Sequence, residues 1–361
     1  MSKLRPIAFV LPQFHPIPEN DAWWGKGFTE WTNVSKAKPL FKEHYQPHVP
    51  ADLGFYDLRL PEARQEQAAL AQSYGIHGFC YYHYWFNGKR LLDQPIDGML
   101  KQKDLDMPFM LCWANENWTR RWDGKEDDIL IKQEYSFEDD KKHMRWLCEH
   151  VFSDSRYIRV DDCPVLMIYR YDLFPDIAET AKIWREIAVN EFGLKGLYLC
   201  ITESFGKKTN AETIGFDANV EFPPHYILNE KYEDAKLFSL KERLGIKKRP
   251  LLNIRDFALG VQKFKNRKLP DYKLYRCAVP SWDNTPRKGD QGIIGYNSSP
   301  ETYGDWLQDI VKDFKPFSTE ENFIFINAMN EWAEGNHLEP CHKYGTAYLE
   351  ATQKALNTEH L

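Results

Sequence analysis

Eight short apolar runs recur along the chain, and each ends in polar or aromatic residues. Apolar residues on consecutive rather than alternating positions are typical of strands that are buried on both faces of a parallel sheet. The pattern therefore predicts eight such strands. They are Ile7–Leu11, Gly78–Tyr84, Pro108–Trp113, Pro164–Tyr169, Leu197–Thr202, Ala218–Phe222, Arg276–Val279 and Phe323–Ala328.

Segments with helical periodicity lie between several of these runs. Ser136 precedes Asp139 by three residues, which is the spacing of an N-terminal helix cap. The alternation of strands and helices predicts an α/β fold, a (β/α)8 TIM barrel with long βα loops, as a single domain over residues 1–361. The predicted helices are Pro61–Ser73, Ser136–Phe152, Pro175–Phe192, Pro300–Phe314 and Tyr344–Leu356.

A doubly wound open sheet is the competing architecture. Such a sheet usually has a glycine-rich turn after its first strand, whereas this chain has Pro12-Gln13-Phe14-His15-Pro16 there. No P-loop or dinucleotide motif occurs elsewhere. Two stretches are long, residues 13–57 and residues 205–274, and the second is weakly patterned around its one short strand. In a barrel, long segments after strands lie on the catalytic face.

Composition narrows the classes of function. The chain has 361 residues, a net charge of −6 and a pI of about 6.0, so no basic face for nucleic acid is expected. Aromatic residues make up 15% of the chain, and many lie beside polar residues. Sugars present apolar faces to aromatic rings and hydroxyls to polar groups, so this mixture favours a carbohydrate cleft over a purely structural core.

The cysteines and the N-terminal residues indicate the cellular compartment that is expected for the protein. Seven cysteines are scattered without metal-ligand spacing and suit small buried residues. We see no signal peptide and no membrane span. These observations predict a reduced, cytoplasmic protein with neither metal nor cofactor, and they leave its oligomeric state open.

Side chains able to bind a sugar follow each predicted strand, where a barrel gathers them at one mouth. An oligosaccharide or polysaccharide is therefore the expected partner. His83 is equally well interpreted as a packing residue between two aromatic rings. The candidate substrate-binding residues are Gln13, His15, Trp31, Tyr82, His83, Trp85, Trp113, Asn115, Glu116, Asn117, Tyr169, Arg170, Glu203, Glu221, Trp282, Asn330 and Trp332.

Glu331 and Glu334 are the candidate catalytic residues, three positions apart just after the last predicted strand. On one turn of helix or a tight loop, such side chains approach to roughly 5–6 Å, and retaining glycosidases hold their two carboxyl groups roughly 5–5.5 Å apart. Proximity of like charges keeps one group protonated, so it can act as an acid. Spacing alone leaves a second interpretation open, a helix start with two solvated acids.

Several long, aromatic-rich strings resemble known families. N-E-W-A-E-G-N-H-L-E-P at Asn330–Pro340 resembles the signature of glycoside hydrolase family 99, the endo-α-mannosidases and endo-α-mannanases. Most of the chain is still more similar to WbsX-type proteins, which are encoded with bacterial surface-polysaccharide genes and often labelled glycosyltransferases. The other matching strings are F-V-L-P-Q-F-H-P-I-P-E-N (Phe9–Asn20), W-W-G-K-G-F-T-E-W (Trp23–Trp31), G-F-C-Y-Y-H-Y-W-F (Gly78–Phe86) and C-W-A-N-E-N-W-T-R-R-W (Cys112–Trp122).

The resemblance implies a (β/α)8 barrel and a retaining reaction on α-mannose-like or α-rhamnose-like linkages of a bacterial surface polysaccharide. It implies that Glu331 acts as a base on the substrate's own 2-hydroxyl, which attacks C1 to give a 1,2-anhydro sugar. Glu334 would be the acid and then the base that activates water. Many family-99 enzymes have His where this chain has Ala333, which alters the contacts near the acid/base.

Two other functions compete with a hydrolase. A glycosyltransferase of O-antigen or capsule assembly is implied by the WbsX label, although no convincing D-x-D motif or basic diphosphate site is found in the sequence. A non-catalytic carbohydrate-binding barrel is the third hypothesis, and the presence of both carboxylates disfavours it.

Overall fold

Strands and helices alternate along most of the chain. A computed structural model describes residues 4–120, 125–232 and 252–358. Within them the strands are β1 (Arg5–Val10), β2 (Gly78–Phe86), β3 (Lys89–Leu91), β4 (Phe109–Trp113), β5 (Trp118–Arg120), β6 (Lys125–Ile131), β7 (Arg159–Val160), β8 (Cys163–Ile168), β9 (Tyr198–Glu203), β10 (Ala218–Glu221), β11 (Asn253–Asp256), β12 (Leu274–Tyr275), β13 (Cys277–Ala278), β14 (Ile293–Tyr296), β15 (Phe323–Ile326), β16 (Asn330–Glu331) and β17 (Asn336–His337).

The helices confirm the predicted pattern and add to it. Among the described residues they are α1 (Pro18–Trp24), α2 (Glu30–Lys36), α3 (Pro61–Ser73), α4 (Gln94–Lys101), α5 (Phe137–His150), α6 (Ile177–Asn190), α7 (Pro224–Ile227), α8 (Phe257–Lys265), α9 (Thr285–Lys288), α10 (Pro300–Lys312) and α11 (Ala347–Leu356). All five predicted helices are present. The Ser136 hydroxyl accepts the Asp139 N–H at 3.2 Å, as its spacing predicted.

The main sheet closes almost completely into a barrel. Nine strands follow one another in the order β12, β10, β9, β8, β4, β2, β1, β15 and β13, and each neighbouring pair is parallel. All eight predicted strands contribute to it. The (β/α)8 class is therefore confirmed.

The seventh strand of the barrel is divided in two, and only its second part, β13, lies within the predicted run Arg276–Val279. β12 pairs with β10, and β13, two residues further on, pairs with β15. The Cys277 N–H at the break donates to the Glu221 carboxylate at 3.0 Å, and the Arg276 Nε donates to the same carboxylate at 2.8 Å. The Glu221 carboxylate, at the end of β10, thus accepts the hydrogen bond that the backbone of a neighbouring strand would otherwise accept, at the point where β12 gives way to β13.

Aromatic rings fill the interior of the barrel. The Phe9 ring lies 5.6 Å from the Tyr82 ring, 5.7 Å from that of Phe222 and 5.9 Å from that of Phe325. Tyr82, Phe9 and Phe325 stand on the neighbouring strands β2, β1 and β15, Phe222 follows β10, and all four are buried. Tyr82 and Phe222 also line the cleft at the carboxyl ends of the strands, so this packing extends up to the cleft.

The two long segments are more structured than the sequence indicated. The first contains α1 and α2, each only seven residues long, and the second contains β11 and α8. β11 pairs with β14 in a separate two-stranded parallel sheet. Residues 233–251 of the second segment lie outside the described part of the chain.

Candidate active site

A cleft of about 540 Å³ opens at the carboxyl ends of the barrel strands. Nearly every strand end contributes to its wall, as the barrel geometry requires. Both aromatic and polar side chains line it. The lining includes Gln13, Trp24, Tyr82, Tyr84, Glu116, Asn117, Trp118, Tyr169, Phe205, Phe222, His225, Arg255, Trp282, Asn284, Arg287, Lys288, Glu331 and Glu334.

Glu331 and Glu334 reach the cleft from one tight turn. Glu331 ends β16, residues Trp332–Glu334 form a single 3-10 turn, and β17 returns antiparallel to β16. Gly335 joins them with φ of 57°, and a Cβ there would meet Asp283 atoms at 3.0 Å. Glycine is required by both its backbone angle and the space available. The turn brings both acids to the same wall of the cleft.

Arg287 contacts both acids and a third carboxylate. Its Nη1 donates to Glu334 at 2.6 Å and its Nη2 to Glu331 at 2.8 Å. Nη2 also donates to Glu30, the first residue of α2, which is fully buried. The same Glu30 oxygen accepts the Ala333 N–H at 3.2 Å, in the middle of the turn. One guanidinium therefore connects three acids and the backbone between two of them.

Burial opposes ionisation of both acids. It raises the pKa of Glu331 to about 8, with Glu334 and Glu30 adding to the effect and Arg287 opposing it. Burial likewise raises the pKa of Glu334, again against Arg287. Three carboxylates around one guanidinium would leave a large buried negative charge, so the cluster retains a proton near neutral pH. It has the composition of an acid–base pair.

Interior hydrogen bonds hold the turn in place. The Asn330 amide bonds to both backbone groups of Leu11, accepting at 2.7 Å and donating at 3.1 Å. The Trp332 indole donates to the buried Glu339 carboxylate at 2.6 Å, and the Asp283 N–H donates to the Glu334 carbonyl. These contacts tie β16 to β1 and fix the two acids from behind.

Eight of the sequence-predicted site residues line this cleft together. The Tyr169 ring packs against that of Phe222, with ring centroids 5.1 Å apart. The Asn117 side chain also accepts the Gln133 N–H at 2.7 Å, which fixes the segment that follows β4. The eight are Gln13, Tyr82, Glu116, Asn117, Tyr169, Trp282, Glu331 and Glu334.

The other predicted residues lie outside the cleft lining, and most serve packing or positioning. The His83 imidazole contacts that of His143 at 2.9 Å, and Trp85 donates to Asp139, so both face α5. Arg170 contacts Glu116 and so fixes a residue of the cleft wall. The full set is His15, Trp31, His83, Trp85, Trp113, Asn115, Arg170, Glu203, Glu221, Asn330 and Trp332.

Several cleft residues were not identified from the sequence. Arg287 is the most consequential. Neither Arg287 nor Glu30, which lies behind it and outside the cleft lining, stands in a motif with recognisable catalytic spacing. Tyr84, Trp118 and Phe205 add rings to the wall. Tyr84 had an available signal, because it lies two positions after Tyr82 and side chains two apart on a strand share a face.

The described residues hold neither a metal-binding cluster nor a membrane-spanning helix. In residues 4–120, 125–232 and 252–358, no group of three or more His, Cys, Asp or Glu side chains is arranged to hold a metal ion. No helix of these described ranges is long and apolar enough to cross a membrane. The expectations of no cofactor, no nucleic-acid partner and a cytoplasmic location stay predictions.

Solved structures share the fold at low sequence identity. A glycoside hydrolase-like protein matches with a TM-score of 0.62 and 12% identity, covering 99% of this chain and 95% of that one. The GH99 endo-alpha-mannosidase from Bacteroides thetaiotaomicron matches with a TM-score of 0.57 and 14% identity, covering 98% of this chain and 96% of that one. At this identity the likeness establishes a common barrel architecture.

Sequence relatives extend over almost the whole chain. The uncharacterized protein WxcX of Xanthomonas campestris pv. campestris is 44% identical over 351 residues in each of two strains, which covers 97% of this chain. The match covers 49% of WxcX, so the chain spans about half the length of these curated relatives. The family model described as "Glycosyltransferase WbsX" matches residues 6–352, and the chain therefore belongs to that family.

Proposed function

We propose that the chain is a retaining glycoside hydrolase that cleaves α-mannose-like or α-rhamnose-like linkages of a bacterial surface polysaccharide. One observation carries the proposal. Glu331 and Glu334 contact the two terminal nitrogens of the same guanidinium, at the mouth of a barrel whose cleft is lined by aromatic rings. A coupled pair of carboxyl groups beside a ring-lined cleft is suited to acid–base chemistry on a sugar.

The reaction needs an ionised Glu331 and a protonated Glu334. Because burial raises the pKa of Glu331 to about 8 in the free protein, the proton that the cluster retains near neutral pH has to pass from Glu331 to Glu334 when the substrate binds. Glu331 takes the proton of the 2-hydroxyl while O2 bonds to C1, and Glu334 gives its proton to the departing glycosidic oxygen. In the second step Glu334 takes a proton from water, the water oxygen bonds to C1, and the C1–O2 bond breaks. O2 then recovers its proton from Glu331. Two inversions at C1 give net retention, and both groups return to their first state.

The substrate class follows from this geometry of attack. O2 can reach C1 from the back only when it is trans to the leaving oxygen, as in α-mannosides and α-rhamnosides. The rings of Tyr84, Trp118 and Phe205 suit the apolar faces of neighbouring sugars, and Gln13 and Asn117 carry hydroxyl partners. The cleft volume of about 540 Å³ lies within the range of roughly 300–1,000 Å³ that is usual for ligand sites.

Stereochemistry tests the proposal directly. We expect α-mannan or rhamnan oligosaccharides to be hydrolysed to products that first appear as the α-anomer in a proton NMR time course. Glucose-based α-linked oligosaccharides should be inert, because their O2 is cis to the leaving oxygen. Glu331→Gln and Glu334→Gln should each lower kcat by about 10²–10⁴-fold, the usual size of a general acid–base contribution. Initial β-products, or two fully active variants, would exclude this mechanism.

A glycosyltransferase is the second candidate, and the description of the family model favours it. In that case the cleft would bind a nucleotide sugar and transfer its glycosyl group to an acceptor hydroxyl. Calorimetry separates the two candidates. Tight binding of a nucleotide sugar, together with transfer and no hydrolysis, would support the transferase; absence of nucleotide-sugar binding together with hydrolysis of the oligosaccharides would support the hydrolase. A barrel that binds the oligosaccharides without either reaction would be a binding protein.

A further inference from the structure

We propose that Arg287 is an electrostatic clamp for the exchange of charge between Glu331 and Glu334, and that Glu30 is the positioning residue that anchors it. The inference rests on the proposed function, because it assigns two further residues to the same reaction. The two terminal nitrogens of the Arg287 guanidinium contact different acids. Nη1 holds Glu334, whereas Nη2 holds both Glu331 and Glu30.

The first chemical step moves a negative charge without changing its amount. Before the step Glu331 is ionised and Glu334 carries the proton. Glu331 then gains the 2-hydroxyl proton, O2 bonds to C1, the C1–oxygen bond to the leaving group breaks, and the Glu334 proton moves to that oxygen. The charge has passed from the acid on Nη2 to the acid on Nη1. A guanidinium spreads its charge over both nitrogens, so it stabilises both states.

This arrangement needs little movement during the reaction. Groups that are already oriented toward developing charge stabilise it without the cost of reorganisation, and burial strengthens the effect. The Arg287 side chain is only 12% exposed, and Glu331 is 6% exposed. Water therefore competes weakly for either contact. The same clamp operates in reverse in the second step, when the charge returns to Glu331.

Glu30 has the position required of an anchor. When Glu331 becomes neutral, Nη2 still has a carboxylate partner in Glu30, so the guanidinium stays in place. The Glu30 oxygen on Nη2 also accepts the Ala333 N–H, which lies between the two acids in the chain. Glu30 is fully buried at the start of α2. It lies behind the guanidinium and acts through Arg287.

Other titratable groups face this cluster and remain in every variant described below. Lys288 follows Arg287 on α9 and lowers the pKa of Glu334. Tyr82 and Tyr84 face Glu331 from β2, and Tyr169 faces Glu334 from the end of β8. Burial raises the pKa of each hydroxyl, so all three stay neutral near neutral pH. The sign of any change in the pH profile is therefore set by the charge that is replaced.

Two substitutions of opposite charge test the clamp. Arg287→Gln removes a positive charge, so the acidic limb of the kcat/KM pH profile should move to higher pH. We expect kcat to fall about 10²–10³-fold, the usual effect of removing one preorganised donor. Glu30→Gln removes a negative charge, so the same limb should move to lower pH with a smaller loss of kcat. A purely structural role would not shift the two profiles in opposite directions.

Matched variants complete the experiment. Glu321→Gln removes a carboxylate that is paired with Lys273 at the opposite end of the barrel, and it should leave the profile unchanged. Arg287→Lys keeps the charge but not the two-nitrogen contact, so it should retain the position of the limb and lose kcat. Shifts in the same direction for Arg287→Gln and Glu30→Gln, or no shift in either, would overturn the proposal.

A spectroscopic readout separates this proposal from the proposed function. Infrared titration of the protonated carboxyl band needs no turnover. Subtracting the spectra of Glu331→Gln and of Glu334→Gln from that of the wild type isolates the bands of these two acids. The apparent pKa values of the pair should rise in Arg287→Gln and fall in Glu30→Gln. If no oligosaccharide is hydrolysed and these shifts are still seen, the hydrolase is excluded but the charge cluster stands. If hydrolysis occurs and the shifts are absent, the clamp is excluded.

Discussion

Glu331 is a carboxyl group whose ionisation the fold opposes, and this makes stability depend on pH. Burial raises its pKa from the ordinary value of 4.5 to about 8. Between these values the folded protein binds more protons than the unfolded chain, so the free energy of unfolding falls as pH rises. The stabilising contribution is complete below pH 4.5 and lost above pH 8. We expect the free energy of unfolding, measured by urea denaturation, to fall less between pH 4.5 and pH 8 in Glu331→Gln than in the wild type.

The control for this prediction is the carboxylate at the other end of the barrel. The pKa of Glu321 is lowered, with burial opposed by Lys273 and the Tyr198 hydroxyl, so its own effect appears on the acidic side of 4.5. Glu321→Gln should therefore keep the wild-type slope between pH 4.5 and pH 8. A Glu331→Gln variant with the same slope as the wild type would show that Glu331 is not protonated in the free protein.

Glu339 supports the active-site turn through three donors. Its carboxylate accepts the Tyr56 hydroxyl at 2.8 Å, the Trp332 indole at 2.6 Å and the Gln67 amide at 2.6 Å. Glu339→Ala leaves these buried donors without their acceptor, at about 1–3 kcal/mol for each. Among the described residues the Gln67 Oε1 has no hydrogen-bond partner, so Gln67 can rotate its amide and accept from the amide that Glu339→Gln introduces.

These contacts predict a large difference between two substitutions at one position. The free energy of unfolding of Glu339→Gln should lie within about 1 kcal/mol of the wild-type value. That of Glu339→Ala should be lower by several times this amount. Chemical denaturation at neutral pH measures both. The comparison also removes the effect of charge, because neither variant carries one. Equal destabilisation would show that the negative charge, rather than the acceptors, supports Trp332.

The alternation of side chains along β2 explains which site residues the sequence could predict. The string Tyr81-Tyr82-His83-Tyr84-Trp85 is aromatic throughout, so it shows no preferred face. In the barrel Tyr82 and Tyr84 face the cleft, whereas His83 and Trp85 face α5. The type of residue indicated a site near this strand end, but only the direction of the strand separates binding residues from packing ones.

At the scale of elements, Glu221 joins the two halves of the seventh barrel strand. Its carboxylate contacts Arg267, Arg276 and the Cys277 N–H, and its side chain is almost fully buried. Glu221→Ala leaves two partly buried guanidinium groups without their carboxylate and one buried N–H without an acceptor. Breaking a buried pair in this way costs about 3–5 kcal/mol, so we expect a loss of that size in urea denaturation.

An exposed pair is the matched control for that substitution. Arg145 and Glu191 form a similar contact on the surface, with both side chains more than two-fifths exposed. Glu191→Ala should leave the midpoint of unfolding unchanged, because solvent replaces the lost contact. A Glu221→Ala variant as stable as Glu191→Ala would mean that the barrel closes without this carboxylate.

The same strand shows what the sequence could and could not predict about elements. Long apolar runs and helices of ten or more residues were predicted, because their periodicity extends over several turns or strand positions. The break at Arg276 depends on Glu221, which lies far away in the sequence, and no local pattern reports it. The helices α1 and α2 carry Trp24 to the cleft wall and Glu30 to Arg287, but they have only seven residues each and show too little periodicity.

For the whole molecule, the cleft collects residues from most strand ends, so an occupant should stabilise the barrel as a unit. A ligand that binds only the folded state adds about 2.7 kcal/mol to the free energy of unfolding at a concentration of 100 times its Kd. Glu334→Gln allows this measurement without turnover. We expect α-mannan or rhamnan oligosaccharides to raise its thermal midpoint in a concentration-dependent manner, and glucose-based oligosaccharides of equal length to raise it less.

The ring of Trp118 makes that prediction specific to the cleft. It lies on β5 in the cleft wall and packs edge-on against Tyr84, with ring centroids 5.3 Å apart. When Trp118→Ala is added to Glu334→Gln, a higher oligosaccharide concentration should be needed for the same rise in thermal midpoint, because a stacking surface for the sugar is lost. Phe137→Ala removes a ring that is 44% exposed at the start of α5, and it should have no such effect. Equal shifts in the two variants would locate the sugar outside this cleft.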